Sequence, residues 1–270
     1  MSPTPVSMSD PTAPAGYTWE ATSEQVAARY GVPLEQVVRF DLNTSPEPPE
    51  LAARVLAAGH FETSLSEYPP SDYRQLTEAA ATRYGVAAPE ILVGAGADEI
   101  LDVAAKTFLP PGGTAVIPTP SYAMYRVLTE QRPARVRPVP RLGPADGYAI
   151  DLDLTRTVAR GADLVWLCSP NNPTALAEPD GAVERLLSGL AGDAGRDGRP
   201  APVVVLDEAY AEFTGTSLLP LRTAYPGLIV VRTLSKAYAL AGLRVGFAVA
   251  GRPIVAAMEP FRPPGSVSTV

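Results

Sequence analysis

The sequence has 270 residues, of which 46% are hydrophobic and 19% are charged, as is ordinary for a globular enzyme of one large or two smaller domains. Its formal net charge of -7 provides no basic surface for nucleic acid or an anionic membrane, and no apolar run approaches the roughly 18 residues of a membrane helix. The single cysteine, Cys168, excludes an internal disulfide and fits the cytoplasm, and the single histidine, His60, argues against a histidine-based metal site, so no metal is expected.

The first part of the chain combines a polar leader with short helical segments. The opening residues, MSPTPVSMSDPTAPAG, have neither the basic start nor the apolar stretch of a signal peptide, and their composition predicts a disordered leader. Apolar periodicity then predicts helices over residues 22–30, 33–39, 49–58 and 72–84. Pro33 suits the first position of the second helix, and Ser71 or Asp72 suits the N-cap of the fourth.

From Ile91 onward, short runs rich in Val, Ile and Leu alternate with helical segments. The predicted strands are ILVGAG, TAVIP, ARVRPVP, ADLVWLCSP, APVVVLDEAY and LIVVRTLSK. The predicted helices are ADEILDVAAKTF, a segment from about Tyr122 and a segment near residues 180–190. This alternation predicts an α/β fold whose mainly parallel sheet is covered by helices on both faces. Because ligands of such sheets bind outside the carboxyl ends of the strands, polar residues at those ends are candidate site residues.

Two of these strand ends suit a flat, phosphorylated ligand. The run ILVGAG opens onto a helix that begins Ala97-Asp98-Glu99, whose free backbone N–H groups and dipole favour a phosphate. Glu99 replaces the last glycine of a GxGxxG motif, so a dinucleotide site is disfavoured. Tyr122 follows TAVIP, where its ring either lies on a flat cofactor or belongs to the core or its rim.

The next two strand ends offer an amide and a carboxylate. Asn172, held by Pro173, either donates its amide to an oxygen on a ring or only forms an Asn-Pro turn. A buried carboxylate is costly unless it is paired, so Asp207 either requires a cationic partner such as a protonated ring nitrogen or caps a helix. Tyr210 follows three residues later and is placed to bond the same ligand.

The segment VVRTLSKAYALAGLRVGF places Lys236 beside the hydroxyls of Thr233 and Ser235, with Arg244 eight residues further on. A lysine amine forms a Schiff base with an aldehyde, while a guanidinium and hydroxyls hold a phosphate by charge-assisted hydrogen bonds. The alternative is a surface Lys and Arg that flank a turn. Together with the strand-end residues, this segment completes the set of contacts for pyridoxal phosphate.

In these motifs the chain resembles the fold-type-I pyridoxal-phosphate aminotransferases, most closely the histidinol-phosphate aminotransferases. The matching blocks are RFDLNTSPEPP, YPPSDYRQL, GAGADEI, PSYAMY, CSPNNPT, DEAYAEF and RTLSKAYALAGLRVGF. The resemblance implies the large domain of that fold over residues 46–260, after a disordered leader and N-terminal arm over residues 1–45. Residues 261–270 would begin a small C-terminal domain that is otherwise missing.

The resemblance also implies roles in the chemistry and in binding the cofactor ring. Lys236 would carry the Schiff base and shuttle the proton, and Asp207 would keep the pyridine nitrogen protonated. Asn172 and Tyr210 would bind the ring hydroxyl, and Tyr122 would stack on the ring.

The phosphate contacts come from the same resemblance. The implied set is the backbone at Ala97 and Asp98 with the side chains of Thr233, Ser235 and Arg244. Tyr68 would reach the phosphate of the neighbouring subunit, which implies a homodimer with shared active sites. Two blocks depart from the family: NPTG reads NPTA at Ala175, and the NENP loop, which shapes substrate access, reads NTSP over Asn43 to Pro46.

The implied activity is transfer of an amino group from glutamate to imidazole-acetol phosphate, in histidine biosynthesis, so the partners are small molecules. Two alternatives remain open. A threonine-phosphate decarboxylase shares the SPNNPT, DEAY and SK blocks and starts from the same cofactor chemistry. A curtailed chain that binds the cofactor without turnover is the other.

Overall fold

The computed structural model describes residues 16, 20–47, 49–59, 64 and 66–269. The leader is predicted over residues 1–16, of which positions 1–15 lie outside the described residues, as does His60. The predicted domain boundaries stay predictions.

A single twisted sheet organises the described part of the chain, with strand order β1-β7-β6-β5-β4-β2-β3. Its strands are β1 (Ile91–Gly94), β2 (Thr114–Thr119), β3 (Arg135–Pro140), β4 (Leu164–Cys168), β5 (Val203–Asp207), β6 (Leu228–Thr233) and β7 (Gly246–Ala250). Strand β7 runs antiparallel to both of its neighbours, and every other adjacent pair is parallel. The predicted mainly parallel sheet is therefore confirmed.

The described residues also form the helices α1 (Ser23–Tyr30), α2 (Glu50–Ala58), α3 (Arg74–Tyr84), α4 (Gly96–Phe108), α5 (Met124–Gln131), α6 (Leu152–Val158), α7 (Ala182–Asp197), α8 (Ala211–Thr214) and α9 (Arg252–Met258). Helices α4 and α7 pack on opposite faces of the sheet, whereas α1 and α2 bury none of their residues. In the described part of the chain, no helix combines the length and the apolar character needed to cross a bilayer.

Alternate residues of β5 show why the strands are apolar throughout. Val204 and Leu206 belong to the same core as Leu186 of α7, whereas Val205 belongs to the core that contains Ile100 of α4. All five side chains are fully buried. Since burying one aliphatic side chain is worth about 1.5–3 kcal/mol, both cores hold the central strands in place and fix their carboxyl ends.

The structure corrects two predictions near the N-terminus. Instead of a helix over residues 33–39 there is a single 3₁₀ turn, Leu34–Gln36, that follows Pro33. None of its residues is buried, so no packing extends it. The fourth predicted helix begins at Arg74, not at Ser71 or Asp72, and its N-cap Tyr73 has φ 44°. The Asp72 carboxylate still accepts the Arg74 N–H, at 3.2 Å.

Strand β7 and helices α6, α8 and α9 were not predicted. The first two residues of β7, Gly246 and Phe247, also end the Lys236 motif, so the sequence does not mark GFAVA as a separate strand. Strand β7 inserts between β1 and β6 and is buried at every position. The antiparallel insertion brings Gly246 against the start of α4, where it shapes the site described next.

Candidate active site

A cleft of about 520 Å³ lies at the carboxyl ends of the parallel strands. Among its lining residues are most of the predicted site residues: Ala97, Asp98, Tyr122, Asn172, Asp207, Tyr210, Thr233, Ser235, Lys236 and Arg244. Tyr68 is not part of the lining, and its side chain is 92% exposed. Asp41 to Thr44, from the N-terminal segment, cover part of the same cleft.

Asp207 occupies the last position of β5 and is almost completely buried. Its Oδ2 accepts a hydrogen bond of 2.8 Å from the Tyr125 hydroxyl, and its Oδ1 accepts one of 2.9 Å from the Ala209 N–H. Burial raises the pKa of Asp207 to about 6 despite these two donors. Among the described residues, no cationic side chain forms an ion pair with Asp207, and the carboxylate keeps acceptor capacity for a bound cation.

Lys236 stands in the loop after β6, with its ammonium group in the cleft wall. Its Nζ lies 3.5 Å from the Leu42 carbonyl oxygen and 3.3 Å from that of Asn43, and 5.6 Å from the centroid of the Tyr210 ring. Partial burial lowers the pKa of Lys236. A lowered pKa increases the share of neutral amine, which is the form that attacks a carbonyl carbon.

The side chain of Asn43 orients the hydroxyl of Tyr210. The Asn43 amide donates a hydrogen bond of 3.1 Å to the Tyr210 Oη, so the tyrosine proton remains available to a ligand. Asn43 has φ 51°, a left-handed conformation that asparagine tolerates well. The family resemblance implies only that this loop shapes substrate access, so its contact with Tyr210 is an addition from the structure.

The two consecutive asparagines after β4 have different surroundings. Asn171 is buried: its Oδ1 accepts from the Ser121 hydroxyl at 2.9 Å, and its Nδ2 donates to the Pro120 carbonyl oxygen at 3.2 Å. Asn172 lines the cleft instead. The first asparagine therefore ties the loops after β2 and β4 together, which leaves the second to face a ligand.

An anion-binding corner forms where the N-terminus of α4 meets Arg244. The Arg244 Nη2 donates to the Ala95 carbonyl oxygen at 3.3 Å and lies 3.8 Å from Oδ2 of Asp98. Gly96 has φ 79°, and a Cβ at that position would lie 2.4 Å from Arg244 Nη2. Because Gly96 has no side chain, the Arg244 guanidinium lies close to the N-terminus of α4. A guanidinium beside the free backbone N–H groups of a helix suits a phosphate.

The side chains of Thr233 and Ser235 complete this corner, and Tyr122 lies beside it. Thr233 and Ser235 are buried, with their hydroxyl oxygens 2.9 Å apart. The Tyr122 hydroxyl donates to Oδ1 of Asp98 at 3.0 Å, and its ring meets the Tyr125 ring edge-on at 5.7 Å. These contacts hold the Tyr122 ring beside the corner, where a flat ligand would enter.

Two ion pairs behind the site were missed by the sequence analysis. Arg141 and Glu178 are both buried, with their charged atoms 2.5 Å apart, and the Arg141 Nε donates to the Pro120 carbonyl oxygen. Arg232 pairs with Glu208 at 2.6 Å. Removing one partner of a buried ion pair strongly destabilises the folded protein, because the other charge is left buried and unpaired. Arg232 and Glu208 belong to the RTLSK and DEAY blocks, so the motifs contained a signal for this pair, whereas none marked Arg141.

We expect Gly96→Ala to weaken phosphate binding at this corner. The added methyl group would both strain a positive φ and displace the Arg244 guanidinium. The affinity for inorganic phosphate or pyridoxal phosphate, measured by calorimetry, should fall by at least about tenfold, since a charge-assisted bond contributes about 1.5–3 kcal/mol. Gly112→Ala is a matched control, because Gly112 also has a positive φ but nothing lies within 4 Å of its added Cβ. Equal affinities in the two variants would contradict the assignment of the corner.

Comparisons with a protein family and with individual proteins both identify aminotransferases as relatives of this chain. Residues 39–270 match the family described as aminotransferase class I and II. A histidinol-phosphate aminotransferase of Roseiflexus castenholzii is 35% identical over 93% of this chain and 66% of its own length. One of Symbiobacterium thermophilum is 36% identical over 87% of this chain and 62% of its own length. The chain therefore spans about two thirds of the length of these curated relatives.

The fold is also found in solved structures. The histidinol-phosphate aminotransferase of Sinorhizobium meliloti, solved in complex with pyridoxal 5'-phosphate, superposes with a TM-score of 0.75 at 26% sequence identity. The match covers 93% of this chain and 66% of that one.

Proposed function

The chain belongs to the class I and II aminotransferases, and we propose that it contains the cofactor-binding domain of a histidinol-phosphate aminotransferase. The reaction would transfer the amino group of glutamate to imidazole-acetol phosphate and yield histidinol phosphate and 2-oxoglutarate. The observation that carries this proposal is the convergence of Lys236, Asp207 and Arg244 in one cleft at the carboxyl ends of the strands. The relatives named above add support, since they have this activity by name.

The donors and acceptors of the cleft fit pyridoxal phosphate. The anion-binding corner formed by Arg244, Ser235 and the start of α4 suits its phosphate. Asp207 forms no ion pair within the described part of the chain and suits a protonated ring nitrogen. Asn172 and the free proton of Tyr210 suit the ring hydroxyl. The volume of about 520 Å³ lies within the usual range of small-molecule sites.

Asp207 and Lys236 have the central tasks in the proposed amino-group transfer. When bound, pyridoxal phosphate supplies a ring that accepts the electron pair released at the α carbon of the amino acid. Asp207 keeps the proton on the ring nitrogen, which makes the ring a stronger acceptor. The Lys236 amine, with its lowered pKa, holds the cofactor covalently and carries a proton to and from the α carbon.

A second copy of the chain is part of the proposal. The N-terminal segment exposes several large apolar side chains, among them Val38, Phe40 and Leu51, and α1 and α2 bury none of their residues. Exposed apolar surface of this extent is typical of an interface. A homodimer would cover it and would bring Tyr68 to the neighbouring phosphate. The free, buried thiol of Cys168 supports a cytoplasmic location.

The test is an assay of the purified protein with glutamate and imidazole-acetol phosphate, in which both products are followed by mass spectrometry. We expect histidinol phosphate to appear only when pyridoxal phosphate and glutamate are present. Release of carbon dioxide from threonine phosphate without any keto acid would favour the decarboxylase instead. Bound cofactor with neither product would leave only the cofactor-binding part of the proposal standing.

A further inference from the structure

Tyr125 is a buried tyrosine behind the cleft that the cofactor assignment leaves without a task. It lies in the first turn of α5, three residues after Tyr122, and its side chain is fully buried. Its hydroxyl donates a hydrogen bond of 2.8 Å to Oδ2 of Asp207. A buried donor that points at one oxygen of a carboxylate restricts how that carboxylate turns.

The ring of Tyr125 is itself held in place. It stacks on the Trp166 ring of β4, with centroids 5.3 Å apart and planes 8° from parallel. The Trp166 Nε1 donates to the Thr129 hydroxyl at 3.0 Å, and that hydroxyl donates to the Tyr125 carbonyl oxygen at 2.7 Å. Since Trp166 and Thr129 are also buried, the Tyr125 hydroxyl has little freedom to leave Asp207.

Tyr125 is also a permanent donor. Burial, together with the neighbouring Asp207 carboxylate, holds the pKa of Tyr125 well above its usual range, so the phenol keeps its proton. The Ala209 N–H occupies the other oxygen of Asp207, at 2.9 Å. An ionised carboxylate has about four acceptor sites, so two bonds from the chain leave room for a ligand.

We propose that Tyr125 is a positioning residue that keeps the Asp207 carboxylate ionised and oriented toward the ring nitrogen of the cofactor. The inference rests on the proposed function, because it assigns Asp207 to that nitrogen. The edge-on contact between Tyr125 and Tyr122 places the same side chain behind the residue that would stack on the ring. One buried tyrosine thereby supports two cofactor contacts.

The first test uses the ligand-free protein. In Tyr125→Phe, which keeps the ring and its stacking, the pKa of Asp207 measured by carbon-13 NMR of its carboxyl should rise by about one unit, since a donor to the charged form is lost. The other ionisable groups that interact with this carboxyl, Asp98, Glu208, Lys236, Cys168 and Tyr210, are identical in both proteins. An unchanged Asp207 pKa would overturn the inference.

Tyr225→Phe is a matched control. Tyr225 is also buried, and its hydroxyl donates to the Pro202 carbonyl oxygen at 2.7 Å. This variant loses a buried tyrosine hydrogen bond without touching Asp207, so the pKa of Asp207 should not move. If Tyr125→Phe fails to fold, 3-fluorotyrosine can be placed at position 125, and the expected change in the Asp207 pKa then has the opposite sign. Its more acidic hydroxyl is a stronger donor and should lower the Asp207 pKa, and no change would again overturn the inference.

The second test uses pyridoxal phosphate labelled with nitrogen-15 in the ring. In Tyr125→Phe, the ring nitrogen should lose its proton at a lower pH than in the wild type or in Tyr225→Phe. A cofactor that binds all three proteins with the same ring-nitrogen titration would overturn this inference alone. If the wild type binds no pyridoxal phosphate, the proposed function and the inference both fail.

Discussion

Replacing Lys236 by alanine should abolish the covalent attachment of pyridoxal phosphate and reduce amino-group transfer by at least about 10³-fold. The variant loses both the attacking amine and the group that moves the proton, and general acid–base catalysis by one side chain alone accounts for about 10²–10⁴-fold. The anion-binding corner is left intact, so noncovalent binding of the cofactor should persist. The measurement is peptide mapping by mass spectrometry after borohydride reduction, together with the rate of the half-reaction with glutamate.

The chain offers an unusually simple control for this experiment. Its sequence contains two lysines, Lys236 and Lys106. Lys106 lies in α4, where it pairs with Asp102 at 2.5 Å, and it does not line the cleft. Lys106→Ala should therefore retain both the adduct and the rate. A reduced adduct on Lys106 or on the N-terminal amine of the wild type would show that Lys236 has been assigned wrongly.

The strand ends explain why so much of the site was predictable from the sequence. Asp207 and Lys236 follow short Val/Ile/Leu-rich runs that form buried strands, and parallel strands bring their carboxyl ends to one edge. Whether they occupy the same cleft then depended only on the order of strands, which the structure supplies. The roles given to the individual residues come from the family resemblance and stay predictions.

The contacts behind the site could not be predicted in the same way. Tyr125 and Asp207 are 82 positions apart in sequence, and a buried tyrosine in an amphipathic helix has the same local pattern as any core residue. Asn43 and Tyr210 are 167 positions apart. Such bonds depend on how helices and loops dock on the sheet, which periodicity does not specify. Strand β7 was missed because its first two residues end the Lys236 motif and only Ala248 to Ala250 follow them.

Replacing Asp207 by asparagine should leave the covalent adduct on Lys236 but lower the rate of amino-group transfer by about 10²–10³-fold. The amide cannot hold the proton on the ring nitrogen, and loss of one preorganised electrostatic contact typically costs a factor of this size. The adduct depends on the Lys236 amine and the anion-binding corner, which the substitution does not change. The measurement is the single-turnover rate with glutamate, compared with the absorbance of the bound cofactor.

The ligand-free protein should show the effect of burying Asp207 on stability. Burial raises the pKa of Asp207 to about 6, above the value of about 3.9 for an unfolded chain. The folded protein therefore binds the extra proton between these values, and the stability that Asp207 contributes is greatest below about pH 4 and is lost as the pH rises through 6. The difference amounts to about 3 kcal/mol, and it should vanish in Asp207→Asn, which has no proton to release. If Asp207 only capped the turn at Ala209, the substitution would leave the half-reaction rate unchanged. Chemical denaturation of both proteins at pH 4 and pH 7 measures the stability effect of burial, and the half-reaction rate decides between the two roles.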